Sequence, residues 1–177
     1  MKDASGKLTL HGVLVQVFGA GVLLIGEPGI GKSETALDLI RSGHALVADD
    51  AVNASVIGGK LVGTSPDLTF ELLEVRGLGV LNVRELFGSS SVAKQTQIEL
   101  CIEFIKSQSS DEINRIELQM SDLSLLGFSI PKATIPVGGR NLSALAETAV
   151  RIFLQSTTGV HPVRKLVEKH AVLVNTG

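Results

Sequence analysis

The 177 residues carry 16 Lys plus Arg against 18 Asp plus Glu, a formal charge of −2, with 44% hydrophobic and only 3% aromatic residues. At ~150 residues per domain this is one domain, long enough to bury a core without metals or disulfides. The charge balance excludes a broad nucleic-acid backbone binder, because no excess of cations exists to release counterions. Six Phe without Trp or Tyr also leave few platforms for stacking bases.

The single Cys101 excludes a disulfide framework and a Cys-rich zinc module. No stretch reaches the ~20 apolar residues that span a bilayer. The N-terminus lacks the apolar core of a signal peptide, so a cytoplasmic protein is expected.

Residues 13–18 and 22–25 are rich in strand formers, and only Gly19, Ala20 and Gly21 separate them. That is too short for a crossover and predicts an antiparallel hairpin. Residues 32–42 read as a helix, with Ala36, Leu37 and Ile40 on one side and Gly43 as its stop. Residues 45–48 form a short apolar strand that runs into Asp49 and Asp50.

A second hairpin is predicted from residues 52–57 and 60–63 around Gly58 and Gly59. In residues 97–104, Ile98, Leu100, Ile102 and Phe104 share one parity while Gln97, Glu99, Cys101 and Glu103 share the other, which predicts a half-buried strand. Residues 133–137 make another strand. Leu142, Leu145, Ala146, Ala149, Ile152 and Phe153 follow helical spacing. Thr158 and Gly159 break that helix, and Pro162 opens a last short one ending near His170. The expected fold is α/β: a mixed sheet with helices, one domain over residues 1–177, with its C-terminal helices from about residue 140.

Gly26, Glu27, Pro28, Gly29, Ile30, Gly31, Lys32 and Ser33 complete a G-x-x-x-x-G-K-[ST] phosphate loop between a strand and a helix. Its glycines let consecutive N–H groups turn inward, and the helix adds its positive dipole end. In such a loop Lys32 reaches the terminal phosphates of a nucleotide and Ser33 ligates Mg²⁺.

Asp49 and Asp50 follow after one helix and a return strand, at the strand end where α/β sheets place ligands. Adjacent residues on an extended strand point apart, so two roles are expected. One carboxylate holds Mg²⁺ and the other takes a proton from a hydroxyl nucleophile. Glu74 and Arg76 lie in an apolar run, residues 72–83, where an acid and a base need partners. Glu74 is a candidate second Mg²⁺ ligand and Arg76 a candidate phosphate contact; a structural ion pair is the alternative. A hairpin partner ahead of the loop strand departs from ordinary P-loop NTPases, whose loop strand has parallel neighbours.

His11-Gly12, the 26–33 loop followed by Glu34, Thr35, Ala36 and Leu37, residues 47–50 and residues 73–79 occur in one order. Together they resemble the catalytic domain of HPr kinase/phosphorylase, over about residues 10–154. The resemblance implies a P-loop fold like that of phosphoenolpyruvate carboxykinases and a bifunctional enzyme. Such an enzyme phosphorylates a serine of the phosphocarrier protein HPr with ATP or pyrophosphate and removes that phosphate by phosphorolysis.

The same resemblance implies an active-site histidine at His11 and a metal ligand at Glu74. It makes Asp50 the base of phosphorylation and the acid of the reverse reaction, with Asp49 beside it. Arg115 falls at a phosphate-stabilising arginine. Mg²⁺ then sits at Ser33, Glu74 and Asp49, and the assembly is a homohexamer.

Two departures stand out. The family commonly carries a separate N-terminal domain, and this chain begins almost at the catalytic one. The family's dephosphorylation loop typically reads Pro-Val-Arg-Pro-Gly-Arg-Asn-Leu, whereas here residues 136–142 are one residue shorter and lack the first arginine. Kinase activity is therefore the firmer expectation. The rivals are a P-loop kinase of a small metabolite and a nucleotide-sensing module without turnover. His44, His161 and His170 show no paired-ligand spacing, and Cys101 has no activating neighbours.

Overall fold

The computed structural model describes residues 7–106, 118–139 and 141–157. In chain order these form β1 (Leu8–His11), β2 (Val13–Val17), β3 (Ala20–Gly26), α1 (Lys32–Arg41), β4 (Ala45–Ala48), β5 (Ala51–Ile57) and β6 (Lys60–Thr64). They continue as β7 (Leu72–Val75), β8 (Gly79–Asn82), α2 (Val83–Phe87), β9 (Gln95–Lys106), β10 (Gln119–Leu125), β11 (Phe128–Val137) and α3 (Leu142–Thr157).

The main sheet runs β1-β5-β6-β9-β3-β2-β4, with β11 on β9 and β10 on β11; β7 and β8 make a separate hairpin. β9 lies parallel to both β3 and β11, while the remaining pairs are antiparallel. The sheet is thus mixed, as expected. The predicted hairpin exists, but its turn is Phe18–Gly19, both with left-handed φ, and Ala20 already belongs to β3. Two consecutive left-handed residues match the right-handed twist of the flanking strands.

Helices α1 and α3 and the hairpin β7–β8 cover one face of the sheet, burying Ala36, Leu39, Ala146, Val150 and Leu73 against Val15, Leu24, Leu100 and Phe104. Its other face packs Leu14, Leu23, Val47 and Cys101 against Val52, Ala54 and Leu61 of β5 and β6, and against Leu125 and Ile130 of the β10–β11 hairpin. Burial on both faces explains why β2, β3 and β4 read as unbroken apolar runs. Each fully buried Leu or Phe in these layers contributes about 1.5–3 kcal/mol.

β9 departs from its predicted parity. The register against β3 shifts between Gly21 and Val22, so that Gly21 faces Ile98 and Val22 faces Leu100. Glu99 is the extra residue of this bulge, and its carboxylate accepts from Gly21 N–H at 3.3 Å. Ile98 therefore packs with Cys101 on one face, and Leu100, Ile102 and Phe104 on the other. The strand is buried on both sides, not on one.

Asn141 caps α3 by accepting from Ala144 N–H at 3.1 Å. Just past its midpoint, Arg151 lies 3.9 Å above the Phe18 ring, which meets the His44 ring edge-on at 4.6 Å. His44 Nε2 is buried without a hydrogen-bond partner. The helix break predicted at Thr158–Gly159 and the short helix after Pro162 lie outside the described residues. No helix among the described residues is long and apolar enough to cross a membrane.

Candidate active site

β3 delivers the glycine-rich loop at its C-terminal end, and α1 starts within the motif at Lys32. A Cβ on Gly26 would come within 2.6 Å of Phe104 O on the neighbouring strand. Gly29 has φ +74°, and a Cβ there would stand 3.3 Å from Arg76 Nη2. The Arg76 guanidinium is thus laid across the loop, where a side chain at position 29 would press on it and the left-handed φ itself favours glycine.

Lys32 is buried, and its Nζ donates to Gly26 O at 2.9 Å and Glu27 O at 3.1 Å. Thr35 Oγ1 donates to Gly31 O at 2.7 Å, which fixes the first turn of α1.

The two adjacent acids go separate ways. Asp49 is buried, accepts from Ser33 Oγ at 2.9 Å through Oδ1, and from Glu74 N–H at 2.9 Å through Oδ2. Burial pushes its carboxyl above the ordinary range, opposed by the hydrogen bonds from Glu74 N–H, the Ser33 hydroxyl and Asp50 N–H. Asp50 is 79% exposed at its side chain, and its Oδ1 lies 3.0 Å from His11 Nδ1.

The two side chains diverge, as expected of the pair, but strand alternation is not the cause. β4 ends at Ala48, and Asp50 takes a left-handed φ of 64° that turns the chain back towards β1. Its carbonyl then accepts from Gly12 N–H at 3.1 Å and lies 3.1 Å from His11 Nδ1.

Glu74 sits on β7 with an exposed side chain, and it is its backbone N–H that reaches Asp49. No group of three His, Cys, Asp or Glu side chains able to hold a metal occurs among the described residues. Glu74 and Arg76 form no ion pair with each other among those residues, so the structural alternative for that segment is not realised. Arg115, the remaining predicted site residue, lies outside the described residues, as do Arg140, His161 and His170.

The hydroxyl–carboxylate pair of Ser33 and Asp49 is an all-oxygen donor set, which fits a hard cation such as Mg²⁺. A cation there also relieves the burial of the Asp49 carboxylate.

Sequence reasoning missed Lys106, whose Nζ lies 2.6 Å from Glu27 Oε2. The parallel register opposing Gly26 and Phe104 carries Lys106 past the loop. No local pattern announces a contact between residues so distant along the chain. Cys101 is fully buried, and burial, with Glu103 nearby, pushes its thiol up to about 12, which disfavours the thiolate that a nucleophile needs.

A profile of the HPr serine kinase C-terminal domain matches residues 2–170. The HPr kinase/phosphorylase of Clostridium beijerinckii is 46% identical over 141 residues, covering 79% of this chain and 47% of that protein. That of Bordetella petrii is 41% identical over 175 residues, covering 98% of this chain and 57% of that protein. The chain spans about half the length of the curated relatives it matches. Among solved structures, the HPr(Ser) kinase/phosphatase from Coxiella burnetii superposes with a TM-score of 0.80 at 32% identity, covering 86% of this chain and 93% of that one.

Proposed function

The chain belongs to the HPr serine kinase C-terminal domain family, and from that premise we propose that it transfers phosphate to, and removes it from, a serine of HPr. The observation that carries this reading is the splitting of Asp49 from Asp50. One carboxylate is tied to the loop serine, and its neighbour stands in solvent against a histidine.

In this reading the loop between Gly26 and Ser33 is a phosphate loop on a carboxykinase-like sheet. Its N–H groups and Lys32 hold the phosphates of ATP, or of pyrophosphate. Mg²⁺ is held by Ser33 and Asp49, with Glu74 beside them, and when bound it neutralises charge on the phosphates. Arg76, lying across Gly29 without an anionic partner among the described residues, adds a guanidinium to the same phosphates. Arg115 is assigned the same task.

Asp50 takes the proton from the serine hydroxyl as the serine oxygen bonds to the terminal phosphorus and ADP leaves. His11 orients the Asp50 carboxylate through Nδ1. In the reverse direction an oxygen of inorganic phosphate attacks the phosphoserine phosphorus. Asp50 returns its proton to the departing serine oxygen, and pyrophosphate forms. The loop around Gly138 and Gly139 lacks one arginine of the family pattern, so the reverse reaction is the weaker of the two. A cytoplasmic homohexamer completes the reading.

The test is incubation with Mg²⁺, ATP and HPr, followed by intact-mass measurement of HPr. One added phosphate on serine, abolished by Asp50→Asn, supports the kinase; added inorganic phosphate then tests the reverse step. ATP binding without transfer to HPr overturns the reading in favour of a nucleotide sensor or another acceptor.

A further inference from the structure

Glu27 is the only acid between Gly26 and Ser33, the segment that has to receive a polyanion. A carboxylate in that place opposes phosphate binding through charge repulsion. The structure supplies a counter-ion from another strand. Lys106, the last residue of β9, reaches Glu27 Oε2 with its ammonium at 2.6 Å. The hydrogen bond and charge of Lys106 hold the Glu27 carboxyl below its ordinary range, so the acid is ionised and paired. Both side chains are exposed, and an exposed pair is worth too little to serve stability alone.

Glu27 is also tied to the loop's own cation, since its carbonyl accepts from Lys32 Nζ at 3.1 Å. One residue therefore touches two ammonium groups, through its backbone on one side and its carboxylate on the other. Its register makes the pairing a product of the fold: Gly26 faces Phe104 across parallel strands, and Lys106 lies two residues further on, level with the start of the loop.

We infer that Lys106 is a positioning residue for the phosphate donor: it neutralises Glu27, so that an otherwise adverse acid is tolerated inside the loop. The inference rests on the phosphate-loop reading above. Lys106 acts through Glu27 and needs no contact with the donor. Donor affinity then follows the net charge of the pair. Wild type and the double variant Glu27→Gln/Lys106→Met are both neutral there, Lys106→Met leaves a bare negative charge, and Glu27→Gln leaves a bare positive one.

Pyrophosphate with Mg²⁺ is the probe, titrated by calorimetry into wild type and the three variants at low and at 0.5 M salt. At low salt, Lys106→Met should weaken binding about tenfold and Glu27→Gln should tighten it, while the double variant returns close to wild type. These differences should shrink at 0.5 M salt. Melting temperatures should be unchanged, as a purely structural pair would not require. Equal affinity of Lys106→Met and wild type overturns the inference. So does a double variant as weak as Lys106→Met, because the lysine would then act on the donor directly. If wild type binds no pyrophosphate and no ATP, the phosphate-loop reading itself falls, and this inference with it.

Discussion

Ser33 Oγ donates to one oxygen of Asp49 at 2.9 Å, while the other oxygen of the same carboxylate accepts from Glu74 N–H at 2.9 Å. Through that one side chain, the loop that begins α1 is tied to the hairpin that carries Glu74 and Arg76. Asp49→Ala removes both acceptors and leaves the Glu74 N–H without its partner. The expected cost is about 1–2 kcal/mol in urea unfolding. Asp49→Asn keeps one acceptor and should cost less. Both should lose the tightening of ATP binding by Mg²⁺; a variant that keeps it removes Asp49 from the metal site.

Gly29 and Arg76 make a second link between loop and hairpin. Gly29→Ala places a methyl group at φ +74°, 3.3 Å from the guanidinium. A left-handed alanine costs about 1–2 kcal/mol, and the guanidinium must shift as well. Stability should therefore fall by that amount, together with donor affinity. Arg76→Ala should lower affinity without the loss of stability. Combining the two should add no further loss of affinity, since both remove the same cation from the loop. Additive losses in the calorimetric titration would separate the two residues.

His11 and Asp50 are half or more exposed, so their pairing contributes less than about 1 kcal/mol to stability. Their effect on transfer should be larger by far. Asp50→Asn should lower phosphate transfer about 10²–10⁴-fold, the range of a lost general base, with ATP affinity retained. His11→Ala should lower it less, and should do little in the Asp50→Asn background, because the histidine acts on that carboxylate. A double-mutant cycle on single-turnover rates decides this; full additivity would make His11 an independent group.

Much of this site lies in short stretches of sequence. The loop from Gly26 to Ser33 and the Asp49–Asp50 pair each announce themselves by spacing, and β2 and β3 by apolar runs with a tight turn between them. What is not legible depends on contacts between distant segments. The bulge at Glu99 redirects Ile98 to the opposite face, and alternation in β9 cannot show that, because the extra residue exists only against β3. The β7–β8 hairpin puts Glu74's N–H, rather than its carboxylate, against Asp49, which the residue type alone cannot reveal. Lys106 reaches Glu27 by the parallel register of β9 with β3. Each of these is a relation between strands, set by tertiary packing.

His44 offers a test that reports on folding independently of catalysis. Its imidazole is buried against Phe18, with Nε2 unpartnered, and the charged groups acting on it are Glu147 and Arg151 of α3. Burial, the largest effect, lowers its pKa from the ordinary 6.5; Arg151 acts in the same direction and Glu147 against it. The unfolded chain therefore takes up the proton first as pH falls. Between 6.5 and the lower folded value the unfolded state binds more protons, so stability declines on acidification and is complete above that window. His44→Phe keeps a ring against Phe18 and removes both the titration and the orphan nitrogen. The variant should be at least as stable as wild type at pH 7.5, and it should lose less stability than wild type between pH 7.5 and 5.5 in urea unfolding. Every other titrating group is common to both proteins, so parallel pH profiles would remove His44 from the acid response.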